Sequence, residues 1–286
     1  MKTENQIAVR TYVRMHEDFQ DMRKRMCNRL GKKADKSDQN AEDKNFGLED
    51  VANFNLLTGQ AEEMEKKTVK MLKIAVASFP VYNEWLSTIK AVGPLCGAYI
   101  LSEFDIGVAT TVSKMWQYAG MNPEMIRGKK RISSKKHKES MGKVVKQIYN
   151  KKNSEYDYIV ETDTMVKGDK PTEGFVLPYS KTIKTRLLGV DGPNFIKQQN
   201  HYALEFYYPY KQRLANSNQM TVEIKKGGKM EKKMWKDCTP GHRNQAAIRY
   251  MMKMFLRDLY VAWREIEGLP VRPPYEDDYL GRKHSI

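Results

Sequence analysis

Read for apolar and polar positions alone, the chain opens with a helical rhythm. Tyr12, Met15, Phe19, Met22 and Met26 recur in alternating steps of three and four, which places them on one face of a long amphipathic helix. Residues 31–47 carry mixed charge and no period, so they predict an exposed connection. A cleaner stripe follows in Phe54, Leu57, Ala61, Met64, Thr68, Met71 and Ala75, before Pro80 interrupts it. This stripe suits the seam of a coiled coil. Together the two runs predict an antiparallel helical arm over 1–79, either an intramolecular pair or a surface for self-association.

After Pro80, the residues Tyr82, Trp85, Leu86 and Ile89, the stretch IKAVGPLCGAYILSEFD and the stretch VATTVSKMWQYAGMNPE predict a compact helical module over 80–127. The pattern then changes. Residues 128–152 hold ten Lys or Arg against one acid, Glu139, too one-sided for a core element. The alternation in YDYIVETDTMV, followed by a Lys-Gly-Asp turn, predicts a hairpin or extended arm that completes a region over 128–180. Residues 181–267 read as mainly helical, with a break at Gly189 to Pro193 and a small hairpin whose turn is at Gly227 and Gly228. The last helix starts at Thr239, with Pro240 at its first position. On it Ile248, Met252, Phe255, Leu259 and Trp263 share one arc, and His242, Arg249, Lys253 and Arg257 the opposite arc. Residues 268–286 read as an extended tail. The fold class expected is mainly α: a coiled-coil helical arm, a helical module and small β-hairpin insertions.

Composition narrows the function. With 286 residues and a formal net charge of +15, the chain attracts polyanions, nucleic acid above all. Cys27, Cys96 and Cys238 are far apart and lack a paired CxxC spacing, which argues against a disulfide scaffold or a zinc site. No apolar run reaches the roughly 20 residues of a membrane span, and MKTENQIAVR lacks a signal-peptide block, so the expectation is a cytoplasmic protein without a membrane partner. Catalytic chemistry is poorly represented. No strand-end set of carboxylates, Walker loop or activated Ser or Cys motif is legible, so neither a catalytic residue, a metal nor a cofactor is assigned. Asp157, Asp163 and Asp169 lie on a turn-rich segment, where they read as solubilising residues.

Three stretches carry the binding chemistry. The turn Ala91-Val92-Gly93 has the place, though only one of the two glycines, of a helix-hairpin-helix phosphate grip; the small Gly97 and Ala98 give the competing reading, a close helix corner. Lys129, Lys130, Arg131, Lys135, Lys136 and Lys138, with Ser133, Ser134 and His137 between them, read as a solvated loop or as contacts to a phosphate backbone. Tyr202, Phe206, Tyr207, Tyr208 and Tyr210 read as helical core or as base-stacking residues.

The order IKAVGPLCGAYILSEFD, SKMWQYAGMNPE, a basic run, a TRLLG helix and GHRNQAAIRYMMKMFLRDLYVAWRE resembles the carboxy-terminal half of bridge-RNA insertion-sequence transposases over about residues 80–267. Those show a similar GIGPxxAxxLLxEI and LxxYAGLxP. The helical arm followed by VGPLCGAYILSEF and ATTVSKMWQYAG is also similar to the Nop domain of box C/D ribonucleoproteins. The combination resembles the Tas proteins of TIGR-Tas systems, in the form that lacks a nuclease. The transposases' amino-terminal RuvC-like domain has no counterpart here. The resemblance implies a Nop-like module that holds a guide RNA and RNA-directed recognition of a target DNA, and the coiled-coil stripe of the arm adds the expectation of a homodimer. The contacts expected are Lys114, Trp116 and Gln117, the basic run, Lys184 and Arg186 of the TRLLG helix, and His242, Arg243, Arg249 and Lys253. Two alternatives remain open: a divergent transposase or recombinase using Ser133 or Ser134, and a sequence-independent DNA-binding protein of a mobile element.

Overall fold

The structure is a computed structural model that describes residues 3–29, 48–133, 143–152, 154–224 and 230–272. The protein is mainly helical with two small antiparallel sheets. Its chain divides into two compact units, Met1–Asp105 and Ile106–Ile286. The stretch 80–127 therefore contributes to both.

In the first unit, α1 (Glu4–Arg29) and α2 (Leu48–Val76) run antiparallel, as their contacts show. His16 Nδ1 meets Thr68 Oγ1 at 3.3 Å, and further along α1 the Arg23 Nε donates to Glu65 at 2.6 Å, earlier on α2. The buried face of α1 is not the expected one. Gln6, Val9, Val13 and His16 point inward, while Met15 and Met22 are exposed. On α2 the inner positions are Ala61, Thr68, Leu72 and Val76, and Leu57, Met64 and Met71 face water. Phe54, Ala61 and Thr68 of the expected stripe do lie on the half-buried or buried side.

After α3 (Pro80–Glu84), the helix α4 (Pro94–Glu103) lies across this pair. All residues from Cys96 to Ser102 are buried. A helix apolar all round needs neighbours all round. Gly97 supplies one: a Cβ there would lie 2.6 Å from Tyr82 Cε2, so only glycine lets α4 approach that ring. Gln6 Nε2 donates to the Phe104 carbonyl at 3.1 Å, and Tyr99 donates its hydroxyl to Glu17 at 2.8 Å. The turn before α4 holds Ala91 at φ 80°, a left-handed value usual for glycine. The stretch is a packed corner.

The second unit begins with α5 (Val112–Tyr118), capped by Thr111, whose hydroxyl accepts from the Lys114 amide. A three-stranded sheet comes next: β1 (Met125–Ile132), β2 (Val144–Asn150) and β3 (Glu155–Lys167), in the order β1-β3-β2. Two expectations change here. Part of the basic run is strand rather than loop, because Lys129 to Ile132 and Val144 to Asn150 pair along β3. The Lys-Gly-Asp turn does not close a hairpin between β3 and the segment C-terminal to it; β3 finds both partners in the preceding basic segment. The chain after Gly168 instead returns along β1, with the Val176 amide donating to the Lys129 carbonyl at 2.7 Å.

The break expected at Gly189 to Pro193 is a wider turn within one helical run. α6 (Lys181–Arg186) passes through a π-turn, Leu187–Asp191, into α7 (Gly192–Lys197). A second π-turn, Ala203–Tyr207, leads into α8 (Tyr208–Ala215). Gly192 N–H reaches Leu187 O and Tyr208 N–H reaches Ala203 O, each just before a proline, Pro193 and Pro209. A proline lacks the N–H and crowds the carbonyl four residues back, so a locally widened turn lets the helix carry it. The strands of the small hairpin form as expected, β4 (Met220–Ile224) on β5 (Met230–Met234); its expected turn lies outside the described residues.

The long helix α9 (Pro240–Ile266) is the axis of this unit, with Thr239 accepting from the His242 amide. Its expected apolar arc is buried, Ile248, Met252, Phe255, Leu259 and Trp263 all at 2% exposure or less. Phe195, Tyr202 and Phe255 form a ring cluster at its centre, with centroids 5.2 to 6.1 Å apart. Tyr202, Phe206 and Tyr207 are thus core, as the first of their two readings had it, whereas Tyr208 is 42% exposed and Tyr210 half-buried at the start of α8, where the chain leaves the core. Burial, with Asp258 beside it, raises the Tyr202 phenol well above its ordinary value.

Candidate nucleic-acid interface

Within the second unit, α5, α6, α9 and the chain at 168–180 carry Lys114, Trp116, Gln117, Lys184, Arg249 and Lys253 of the expected contact residues. Lys184 on α6 is the centre. Its Nζ donates to the Asp169 carbonyl and lies 4.1 Å from the centroid of the Tyr179 ring. Burial lowers the Lys184 pKa from its ordinary value, and the nearby Arg249 guanidinium lowers it further, against the opposing pull of Asp169. Lys184 and Arg249 are both half-buried.

Gln117 borders the same place. Its amide nitrogen donates to Gly168 O at 3.2 Å and Pro178 O at 3.3 Å, fixing the side chain and turning Oε1 inward. Gln117 Oε1, Asp169 Oδ1 and Arg249 Nε are buried and make no hydrogen bond among the described residues. The first two are acceptors and the third a donor, so an anion satisfies only Arg249 Nε.

Trp116 and Lys253 form the adjoining latch. Trp116 is 8% exposed, and its indole N–H donates to the Lys253 carbonyl at 3.0 Å. It reaches a ligand only through Lys253, whose Nζ it holds 4.2 Å over its ring. Lys114 is exposed on the same helix, its ammonium 2.9 Å from Thr110 Oγ1.

Several expected cations have other commitments. Arg131 grips Asp157 at 2.6 and 2.7 Å, and Asn150 donates to the same oxygen, so that Asp157 is buried and neutralised. Arg186 lies 3.2 Å from the buried Asp191. Arg243 donates to the Lys236 carbonyl at 2.7 Å and ties the hairpin to α9. His242 stacks on Trp235 with centroids 5.1 Å apart. These four act first as structure. Asp157 and Asp169, expected as solubilising residues, are buried: the Asp157 carboxylate pairs with Arg131, and Asp169 accepts from Lys184 through its backbone carbonyl.

On the sheet, Lys129 is half-buried and Lys130 is exposed, 4.8 Å over the Phe175 ring. Lys135, Lys136, Lys138, Ser134 and His137 lie outside the described residues. Sequence reasoning missed Asp169, Tyr179 and Arg264. Arg264 is 4% exposed and donates to the carbonyls of Ile106, Ala109 and Pro270, which continues the cationic arc of α9 into the interior. Only its seven- and eleven-residue spacing from Arg257 and Lys253 hinted at that arc.

No group of His, Cys, Asp and Glu suited to a metal ion occurs among the described residues, and no described helix is long and apolar enough to cross a membrane. No protein-family model, curated protein or solved structure matches the chain.

Proposed function

We propose that the protein binds nucleic acid, and that it holds a structured guide RNA for RNA-directed recognition of DNA, without a nuclease centre of its own. The observation that carries the binding reading is the half-buried Lys184, its ammonium 4.1 Å from the Tyr179 ring centroid, together with the buried, unsatisfied Nε of Arg249 on α9. Half-buried cationic donors favour anionic acceptors, and phosphate oxygens are the acceptors a chain of +15 meets most readily. The guide-RNA part rests on the resemblance of residues 80–267 to bridge-RNA transposases and of the arm and following module to nuclease-lacking Tas proteins. In that reading base pairing selects the target and the protein supports backbone and shape.

Sequencing of the nucleic acid that co-purifies with the protein tests it. A discrete small RNA is expected; recovery of DNA alone would sink the guide-RNA reading. DNA cleavage or strand exchange abolished by Ser133→Ala or Ser134→Ala would favour a recombinase instead. Equal affinity for unrelated duplexes, a steep salt slope and no preference for folded RNA would favour a sequence-independent DNA binder.

The same reading has the arm join two copies as a coiled coil. Leu57, Met64 and Met71 are 49%, 46% and 47% exposed at seven-residue steps, and Met15 and Met22 repeat that step on α1. Replacing Leu57, Met64 and Met71 together with lysine is expected to convert a dimer to a monomer in sedimentation, with the helical content kept.

A further inference from the structure

The three-stranded sheet carries an aromatic surface that none of these roles uses. Tyr149 on β2 and Tyr156 on β3 are direct cross-strand partners, with centroids 5.4 Å apart and ring planes at 64°. They are 51% and 52% exposed. Cross-strand tyrosines strengthen a sheet modestly, yet this pair leaves about half of each ring to solvent. The next pair on the same side of the sheet, two residues along each strand, is Gln147 with Tyr158. The opposite side carries the ion pairing: Asp157 with Arg131 and Asn150, and Glu161 with Arg127 at 3.3 Å. Carboxylates are thus gathered away from the tyrosines.

On the β2 side of the pair the charge has one sign, whereas on β3 Tyr156 lies between Glu155 and Asp157. From Lys143 to Lys152 the chain KVVKQIYNKK contains four lysines and no acid. Lys151 and Lys152 are exposed in the turn that joins the strands bearing Tyr149 and Tyr156, and Lys146 is exposed on the opposite side. Strand β2 is also an edge of the sheet. An exposed aromatic pair flanked by lysines matches bases joined by phosphates: every base has a face to stack, and each phosphate meets a cation.

We propose that the Tyr149–Tyr156 pair is a stacking platform for unpaired bases of a nucleic-acid strand, with Lys151 and Lys152 at its phosphates. This site deepens the nucleic-acid reading and rests on it, but it is separate from Lys184 and Arg249. Duplex bases are already stacked and cannot use the platform, so the ligand is single-stranded.

The test measures fluorescence anisotropy of the full chain with three labelled probes: an oligouridine and an oligodeoxythymidine of about 12 nucleotides, and a duplex of similar length. Tyr149→Ala/Tyr156→Ala is expected to weaken single-strand binding roughly 5- to 100-fold per stacked base, leave the duplex unchanged, and be rescued by Tyr149→Phe/Tyr156→Phe. Stronger loss with oligouridine assigns the platform to RNA; stronger loss with oligodeoxythymidine assigns it to a displaced DNA strand. Unchanged single-strand binding, equal losses on strand and duplex, or a phenylalanine variant as weak as the alanine one would each overturn the platform. In those cases, weakening by Lys184→Gln/Arg249→Gln would still uphold nucleic-acid binding. Failure of the unaltered chain to bind any probe would overturn both.

Discussion

The ammonium of Lys253 lies 4.2 Å over the Trp116 ring, while the Trp116 indole donates back to the carbonyl of the same Lys253. The exchange ties α5 to α9 across 137 residues of chain. It also fixes a cation that the backbone alone would leave mobile.

Trp116→Phe removes the hydrogen bond and keeps a ring under the ammonium, so a loss of about 1 kcal/mol is expected. Trp116→Ala leaves a void in a site that is 8% exposed and is expected to cost about 3–5 kcal/mol. Urea unfolding separates the two. Equal stabilities would show that the latch contributes nothing beyond the backbone.

On the proposed reading, nucleic-acid binding through Lys184 is expected to depend on pH. Burial, reinforced by Arg249, holds its folded pKa below the ordinary 10.5. Between the lowered and the ordinary value the unfolded chain binds more protons, so the free protein gains stability as pH rises through that interval. A bound phosphate favours the ammonium and draws a proton in. Affinity is expected to fall as pH rises toward 10.5, earlier than for an ordinary lysine. Calorimetry in buffers of different ionisation heat reads the proton uptake, which Lys184→Gln should abolish.

The arm responds to pH in the same sense, in the acid range. Burial alone would raise the Glu65 pKa, but hydrogen bonds from Arg23 and Gln20 outweigh it and hold the carboxyl below its ordinary 4.5. The resulting stability is present above 4.5 and is lost as pH falls through the lowered value. Melting of the chain across pH 3 to 6 should show this loss, and Glu65→Gln should flatten it.

Gly97 tests whether the corner before α4 is packing. A Cβ 2.6 Å from Tyr82 Cε2 forces the ring or the helix to move. Gly97→Leu is expected to destabilise by about 1–3 kcal/mol or more, with part of the loss recovered by Tyr82→Leu. A Gly97→Leu protein with unchanged melting and selectively lost RNA binding would refute the packing assignment.

The period of three and four found both arm helices and α9, because long amphipathic runs repeat the signal many times. It misplaced the inner face of α1, where Met15 and Met22 outscore Gln6 and His16 in hydropathy. Burial there is decided by partners, Phe104 O for Gln6 and Thr68 for His16. Strands β1 and β2 were hidden because their lysines sit on shallow sheet faces, where the backbone pairing with β3 rather than side-chain alternation defines the element. The Lys184 site was half legible. Its cations stood out in the sequence, whereas Asp169 and Tyr179 reach it from a returning loop that no local pattern announces.

The two π-turns bear on how this chain tolerates change in length. Each holds one residue more than an α-turn, so each is an insertion that the helix has absorbed in place. Trimming Gly189, which is exposed and meets nothing that a Cβ would touch, would restore ordinary spacing and set Pro193 against a carbonyl four residues behind it. The surplus residue is therefore the one that cannot be spared. A chain shortened there should kink, whereas a substitution at the same position should pass almost unnoticed.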